Sequence, residues 1–224
     1  MAIVTRNVRT YNHFCLIARS LELVGDRWNL LVIRDLLTGP KRFTDLMARL
    51  AGITPKTLTQ RLRELTDAGA VSADREPGRR EVWYRLTAAG EDLRPVVDAL
   101  NWWGLRHAWR WPRPGEPLHA EHLLRAVTQA IDYTAGDHEP ARWHFRFPDG
   151  GYLVECDGHR WSLAATAPQV PADVTVTATV ETFTRFVFVP SGTSEPDIDV
   201  TGHPTAIRRF QRLIGAVADV VGPP

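Results

Sequence analysis

The chain has 224 residues, of which 44% are hydrophobic and 24% charged, a composition typical of a folded globular protein rather than a disordered or fibrous one. Its net charge is only +1, but residues 1–111 carry 18 basic and 12 acidic side chains, whereas residues 112–224 carry 9 and 14. A basic half joined to an acidic half suggests a module that binds a polyanion beside a module with another role. We therefore expect two domains, 1–111 and 118–224, joined by a proline-rich linker at 112–117.

Several classes of protein are excluded at this stage. No apolar run approaches the roughly 20 residues that a membrane span needs, and Arg6 and Arg9 interrupt the amino terminus, so we expect a cytoplasmic protein without a secretory signal. Cys15 and Cys156 are predicted to be reduced thiols. The histidines are scattered, and the sequence has no nucleophile elbow or phosphate-binding glycine loop. We therefore predict no metal, no cofactor and no enzymatic activity.

The N-terminal half has a helical pattern. Apolar residues recur at helical spacing over 16–37, with a break at Gly25, and a short helix is predicted behind Thr44. A further helix follows at once, in which Thr54 can act as the N-cap and Gly69 ends the helix. Two short helices joined by a tight turn are typical of the helix-turn-helix that enters the DNA major groove.

The second of these helices has one apolar and one polar face. Leu58, Leu62 and Leu65 form a narrow stripe that we expect to be buried. The rest of the surface carries hydroxyl, amide and basic groups, which suit DNA contacts. The predicted DNA-binding residues on this helix are Thr54, Lys56, Thr57, Gln60, Arg61 and Arg63.

A predicted β-hairpin follows, with alternating strands at 71–75 and 81–86 and a Pro-Gly turn between them. Arg75, Arg79 and Arg80 make its tip basic. Such a wing can contact phosphates or the minor groove, although a charge cluster at a turn is also common on any solvated surface.

Residues 15–110 resemble the HxlR group of bacterial winged-helix transcriptional regulators, which are relatives of the MarR type. The resemblance is carried by Cys15, by GDRW at 25–28, by the turn GPKRF at 39–43, by LTQRLREL at 58–65 and by YRLTAAG at 84–90. It implies a homodimer that binds double-stranded DNA at a pseudo-palindromic operator and regulates a nearby gene.

A long helix is predicted behind Thr87, and it carries more apolar surface than one winged helix needs. We expect this surface to pack against a second copy, since two-fold dimers are the commonest soluble oligomers; the alternative is that its indoles pack on the second domain of the same chain. The residues concerned are Leu93, Val96, Val97, Leu100, Trp102, Trp103, Leu105, Trp109 and Trp111.

Cys15 has two interpretations. Some relatives in the family use an N-terminal cysteine at this place as a redox sensor that joins two subunits. Its position beside Phe14, Leu16 and Ile17 favours an inert, buried thiol instead.

The second half is predicted to be a small α+β domain, an antiparallel sheet covered by helices. A helix at 118–133 precedes a three-stranded meander, and two strand–helix units follow. In the first strand, the alternation places Trp143 and Phe145 on the core face and His144 and Arg146 toward solvent.

Residues 118–215 resemble the small sterol-carrier-protein-like fold. The resemblance is carried by 173–178, 181–186, 198–202 and 203–210. It implies a pocket for a small hydrophobic or amphipathic effector, although the aromatic side chains could equally fill one another. The candidate ligand-binding residues are Trp143, Phe145, Trp161, Phe183, Phe186 and Phe210.

The leading hypothesis is a dimeric DNA-binding regulator controlled by a small hydrophobic ligand in its C-terminal domain. One alternative is a redox-responsive regulator that senses through Cys15 and has a passive C-terminal domain. Another is a lipid or metabolite carrier in which the winged helix mediates protein contacts.

Overall fold

The computed structural model describes residues 10–75, 81–166, 170–189 and 198–221, and the chain divides into two compact units between Val97 and Asp98. The N-terminal unit is a winged helix with the elements α1 (Leu16–Val24), α2 (Asn29–Leu36), β1 (Lys41–Arg42), α3 (Phe43–Arg49), α4 (Pro55–Asp67), β2 (Val71–Arg75), β3 (Val82–Leu86), α5 (Ala88–Glu91) and the start of α6 (Arg94–His107). The C-terminal unit holds the rest of α6, then α7 (Ala120–Thr134), β4 (Ala141–Phe147), β5 (Gly150–Cys156), β6 (Trp161–Thr166), β7 (Val174–Thr177), α8 (Val180–Phe188), β8 (Asp199–Gly202) and α9 (Pro204–Val221). Within the described residues, no helix is both long enough and apolar enough to span a bilayer.

The core of the N-terminal unit forms where α2, α3 and α4 meet. Leu58, Leu62 and Leu65 are each at most 2% exposed, so the predicted apolar stripe of α4 is confirmed. The helices are also joined by an ion pair, because the fully buried carboxylate of Asp35 on α2 lies 3.2 Å from Arg34 and 3.6 Å from Arg49 on α3. This core fixes α4 against the two preceding helices.

The helix α3 begins at Phe43, one residue before the Thr44 that the sequence suggested as its cap. The carboxylate of Asp45 accepts the backbone N–H of Arg42 at 2.9 Å and so satisfies one of the donors at this helix start. The N-cap residue is thus Arg42, and Asp45, three residues later, accepts its backbone N–H.

The predicted wing hairpin is present as the antiparallel pair β2–β3, in which Val71 lies opposite Leu86 and Arg75 opposite Val82. The short strand β1 adds to the other edge, which gives the sheet order β1-β3-β2. The hairpin tip, with Arg79 and Arg80, lies outside the described residues.

The single long helix predicted behind Thr87 is in fact two helices. Thr87 does cap a helix, since its hydroxyl accepts the N–H of Gly90 at 3.2 Å, but this helix α5 ends at Glu91. A new helix, α6, then starts at Arg94. Pro95 explains the interruption, because its ring would collide with the carbonyl of Glu91 in a continuous helix, whereas proline is well tolerated in a first helical turn.

The structure places the division between the units inside α6, not at the proline-rich linker. From Asp98 onward, α6 is bound to α7: Asp98 accepts from Arg125 at 2.6 Å, and its backbone carbonyl accepts from Gln129. Gln129 in turn accepts from Asn101 at 2.6 Å. Residues 98–111 therefore pack with the C-terminal unit.

The indoles of this segment have different environments. Trp102 stacks on Tyr133 with 4.8 Å between ring centroids, and Trp109 lies 4.0 Å from Phe188. For these two the alternative prediction, packing on the second domain, is confirmed. Trp103 remains 59% exposed.

The C-terminal unit is built on a five-stranded sheet of order β6-β5-β4-β7-β8. The predicted meander β4–β5–β6 is antiparallel, and β7 then pairs with β4 in parallel before β8 returns antiparallel to β7. The helices predicted at 118–133 and after each of the last two strands are α7, α8 and α9. The second half thus combines a sheet with helices as predicted, but the prediction of a wholly antiparallel sheet is wrong, because the chain crosses over through β7 to lie parallel to β4.

One side chain of the central strand β4 departs from the predicted alternation. Arg146 is exposed as expected, but His144 is fully buried. The strand β4 lies between β5 and β7, where Leu153 and Thr175 flank His144 in register. A central strand is shielded from both sides, so alternation alone overestimated the exposure of this residue.

Candidate nucleic-acid interface

The start of α4 is organised by two threonines. Thr54 is the N-cap, and its hydroxyl accepts the backbone N–H of Thr57 at 3.2 Å while the two hydroxyls lie 2.8 Å apart. Pro55 occupies the first helical position, where its missing N–H costs nothing. The N-terminus of the helix is therefore rigid, and its partial positive charge favours a nearby anion such as phosphate.

The outward face of α4 carries the exposed side chains of Lys56, Gln60 and Arg63, and Asp67 follows them at the end of the helix. Their spacing of four and three residues places them in one row along the helix, opposite the buried leucine stripe. Gln and Arg are the side chains that most often make paired hydrogen bonds to adenine and guanine edges, and Lys contacts phosphate. The structure thus brings these three predicted residues together on one surface.

Arg61 does not join that row. Its side chain is only 14% exposed, and one terminal nitrogen lies 2.8 Å from Asp26 and 2.9 Å from Glu64. The guanidinium is held between two carboxylates and apart from the row, so this geometry does not support the DNA contact of Arg61, which stays a prediction. The sequence showed the helical angle of Arg61 but not its partner Asp26, which lies in the turn between α1 and α2.

Glu64 links this ion pair to the outward row. Its second carboxylate oxygen accepts the side-chain amide N–H of Gln60 at 3.0 Å. A continuous network of contacts therefore runs from the turn before α2 to the exposed face of α4, through Asp26, Arg61, Glu64 and Gln60.

The wing presents one described basic residue near its tip, Arg75, which is exposed at the end of β2. The neighbouring Asp74 is paired with Arg85 at 2.5 Å, and both of these side chains are half exposed. Two predicted wing residues, Arg79 and Arg80, lie outside the described residues.

Sequence reasoning missed Arg42, which connects the wing to the helix-turn-helix. Its guanidinium binds Asp45 on α3 at 3.1 Å and Glu81, the residue before β3, at 3.1 Å, and it lies 5.5 Å from the ring centroid of Trp83. The hydrogen bonds from Arg42 lower the pKa of Asp45. The sequence offered only the basic turn at 39–43 as a signal, since Glu81 is distant along the chain.

The six aromatic residues predicted to bind a ligand lie together in the core of the C-terminal unit. The ring centroid of Trp143 lies 4.4 Å from that of Trp161 and 5.0 Å from that of Phe210. The ring centroids of Phe145 and Phe183 are 5.1 Å apart. All but Phe186 are at most 7% exposed. In this structure the rings fill one another, and a ligand pocket among them stays a prediction.

A surface cavity of about 380 Å³ opens at one end of the sheet. Of the six predicted residues only Trp143 lines it; its other walls are mainly polar and include Glu139, Asp173, His203 and Arg209. Arg209 is also bound to Asp137 at 2.6 Å, and this hydrogen bond is the main reason that the pKa of Asp137 falls to about 2.

The two cysteines have opposite environments. Cys15 is exposed just before α1, beside the fully exposed Phe14, so the expectation of a buried thiol at this position is wrong. Cys156 is buried, and burial raises the pKa of its thiol, which donates to the carbonyl of His138 at 3.3 Å.

Two helices carry exposed apolar rows. On α6, Val96, Leu100 and Trp103 recur at spacings of four and three residues and are 45–59% exposed. On α1, Leu16 and Ile17 are more than 70% exposed. Rows of this kind are typical of surfaces that another protein covers.

Comparison with known proteins gives consistent matches to the N-terminal part of the chain. The family model for the HxlR-like helix-turn-helix matches residues 23–110. An uncharacterised HTH-type transcriptional regulator of Mycobacterium tuberculosis strain H37Rv is 39% identical over 130 residues, which cover 56% of this chain and 72% of that protein. The uncharacterised HTH-type transcriptional regulator YkvN of Bacillus subtilis is 38% identical over 98 residues, or 42% of this chain and 81% of that protein. Among solved structures, the redox regulator HypR in its reduced form is 30% identical, with 40% of this chain and 90% of that chain covered and a TM-score of 0.39.

Proposed function

Because this chain belongs to the HxlR-like helix-turn-helix family of transcriptional regulators, we propose that it acts as a homodimer that binds a pseudo-palindromic operator and responds to a small hydrophobic ligand in its C-terminal unit. The observation that carries the DNA-binding part is the exposed row on α4. Lys56, Gln60 and Arg63 stand on a helix that is capped by Thr54 and fixed by a buried leucine stripe. A recognition helix needs one side packed firmly in the domain core and exposed polar side chains on the other side that can contact base edges.

The contacts divide into two kinds. Gln60 and Arg63 have the donors and acceptors that distinguish base edges in the major groove, whereas Lys56 and the wing residue Arg75 suit phosphates. Loss of a base-reading residue should weaken binding mainly at preferred sequences. Loss of a phosphate contact should weaken binding at all sequences and reduce its salt dependence.

The test is fluorescence anisotropy with a duplex from the chain's own upstream region and a scrambled duplex of equal length. We expect Arg63→Ala to reduce the preference for the specific duplex by about tenfold. Arg75→Ala should lower affinity for both duplexes and reduce the slope of log affinity against log salt by about 0.9. Arg208→Ala, an exposed arginine of α9, is the control. Equal binding of all variants would contradict the proposal and favour the carrier alternative.

The exposed apolar rows on α1 and α6 support the homodimer. Leu100 and Trp103 are 51% and 59% exposed, which is unusual for large apolar side chains of an isolated monomer. A two-fold dimer would place two recognition helices about 34–36 Å apart, one turn of DNA. We expect Leu100→Asp to convert the dimer to a monomer in light scattering, whereas Gln211→Asp, at an exposed position of α9, leaves it unchanged.

The effector part of the proposal rests on the resemblance of residues 118–215 to sterol-carrier-like folds and on the aromatic residues gathered there. It requires that the packed rings separate to admit an apolar ligand. Native mass spectrometry of gently purified protein, with and without operator duplex, tests it directly. A bound small molecule that departs when DNA binds is the expected result, because a ligand shifts DNA affinity only if it prefers one of the two forms. A ligand-free dimer that binds DNA fully would count against it.

The exposure of Cys15 favours a second candidate, a redox-responsive regulator. In this alternative the thiol of one protomer is oxidised and joins that of its partner, and the C-terminal unit is passive. Diamide treatment should then produce a linked dimer on a non-reducing gel and change DNA affinity. Cys15→Ser should abolish both effects, and Cys156→Ser should leave them intact.

A further inference from the structure

The outward face of α4 contains a carboxylate that both of its neighbours hold in place. One oxygen of Glu64 lies 2.9 Å from Arg61, and the other accepts the amide N–H of Gln60 at 3.0 Å. Arg61 is itself anchored to Asp26 at 2.8 Å and is 14% exposed. The Glu64 side chain is thus fixed from both sides although it is 41% exposed.

The charges in the network of Asp26, Arg61 and Glu64 do not cancel. Asp26 and Glu64 contribute two negative charges, and Arg61 contributes one positive charge. A net negative charge beside the exposed row of α4 is unfavourable for a surface that meets phosphates, because like charges repel at this range. Glu64 should therefore weaken DNA binding overall, and its contribution must be of another kind.

That contribution follows from the hydrogen bond to Gln60. An isolated glutamine amide can rotate and present either its N–H₂ donor or its carbonyl acceptor to a base. Here the amide nitrogen is directed toward Glu64, so the carbonyl oxygen Oε1 is the atom directed away from the carboxylate. A glutamine held in this way presents an acceptor outward before any DNA arrives.

We propose that Glu64 is a positioning residue that sets the sequence specificity of Gln60, so that Gln60 selects a base with an amino donor in the major groove, adenine or cytosine. Asp26 and Arg61 hold Glu64 in place for this role. The inference rests on the proposed DNA-binding function and adds to it the residue that orients the base-contacting side chain of Gln60. Glu64 thereby lowers the affinity for DNA in general and raises the preference for one base.

The experiment uses the full-length protein and duplexes selected by the wild type from a randomised library. Each base pair of the selected site is then substituted in turn, and affinities are measured by anisotropy for wild type, Glu64→Gln and Glu64→Ala. We expect both variants to bind all duplexes several-fold more tightly, because a negative charge is removed. At one base pair per half-site, the preference should fall from about tenfold to about twofold.

Asp67→Asn is the matched control, since Asp67 is an exposed carboxylate of the same helix. It should raise affinity similarly and leave every base preference unchanged. Asp26→Asn tests the anchor and should reduce the same base preference as Glu64→Gln. Thermal melting of each variant confirms that the fold is intact.

The possible results separate cleanly. Glu64 variants that bind all duplexes more weakly, or that keep the full base preference of the wild type, overturn this inference and leave the proposed function standing. A wild-type protein that selects no sequence and binds DNA no better than Arg63→Ala overturns the proposed function and this inference with it.

Discussion

Arg61 and Asp26 form a contact of 2.8 Å that joins the middle of α4 to the turn between α1 and α2. Arg61 is 14% exposed and Asp26 37% exposed, so the pair lies near the surface but is not fully solvated. The same guanidinium also contacts Glu64. The position of α4 therefore depends partly on a charged residue and not only on the buried leucine stripe.

We expect Arg61→Met to lower the free energy of unfolding by roughly 1 kcal/mol, because it removes the shared partner of two carboxylates while keeping most of the apolar stem. Arg63→Met is the control, since Arg63 is exposed on the same helix and should change stability by less than about 0.5 kcal/mol. Urea denaturation followed by circular dichroism measures both. Equal effects of the two variants would show that the Asp26 contact contributes nothing.

Local chemistry predicted the elements of this chain well. Thr54, Pro55 and the apolar spacing of α4 act within a few residues of one another, so sequence alone placed the helix and its buried stripe. The wing strands and the C-terminal meander followed from alternation for the same reason.

Tertiary contacts could not be read in this way. Arg61 lies at the edge of the leucine stripe around α4, but its partner Asp26 belongs to another element, and the sequence does not show that they meet. His144 alternates like a solvent-facing residue, but the sheet order buries it. Whether aromatic residues such as Trp143 and Phe210 line a pocket or fill a core depends on their spacing in three dimensions, which periodicity does not contain.

Gly90 in α5 lies against the backbone of Ala70, where the chain enters β2. A Cβ atom at position 90 would lie 2.1 Å from the carbonyl oxygen of Ala70, closer than any real contact. We expect Gly90→Ala to destabilise the N-terminal unit by about 1–3 kcal/mol, because the backbone must shift. Gly215→Ala in α9 has open space around its Cβ and should be stabilising by up to about 1 kcal/mol. Thermal melts compare the two, and a neutral Gly90→Ala would contradict the close packing of α5 on β2.

The two thiols should react at very different rates. Cys15 is exposed, whereas Cys156 is buried with a raised thiol pKa and a hydrogen bond to a backbone carbonyl. With a disulfide reagent such as DTNB at neutral pH, we expect one thiol to react quickly in the folded protein and the second only on unfolding in urea. Cys15→Ser should remove the fast phase alone. Two fast thiols in the wild type would mean that Cys156 is accessible.

Asp137 makes the C-terminal unit sensitive to acid. Its carboxylate accepts from Arg209 at 2.6 Å and from Arg212 at 2.8 Å, and these contacts lower its pKa from the ordinary 3.8 to about 2. A carboxyl group whose pKa is depressed in the folded state stabilises the fold above its unfolded pKa, and that contribution is lost as the pH falls toward the folded value. The sensitive range is therefore about pH 4 to pH 2.

Asp137→Asn should lower the stability of the C-terminal unit by about 2 kcal/mol at pH 7, since each pKa unit corresponds to about 1.36 kcal/mol. The difference from the wild type should shrink as the pH is lowered, become small near pH 2, where the wild-type carboxyl group is about half protonated, and vanish only below that pH. Glu116→Gln is the control: Arg110 lowers the pKa of Glu116 to about 2 as well, but solvent surrounds that pair, and we expect no measurable loss of stability. Urea unfolding at several pH values, followed by tryptophan fluorescence, separates the outcomes. A gap between Asp137→Asn and wild type that is independent of pH would show that the carboxylate's charge is not what stabilises the unit.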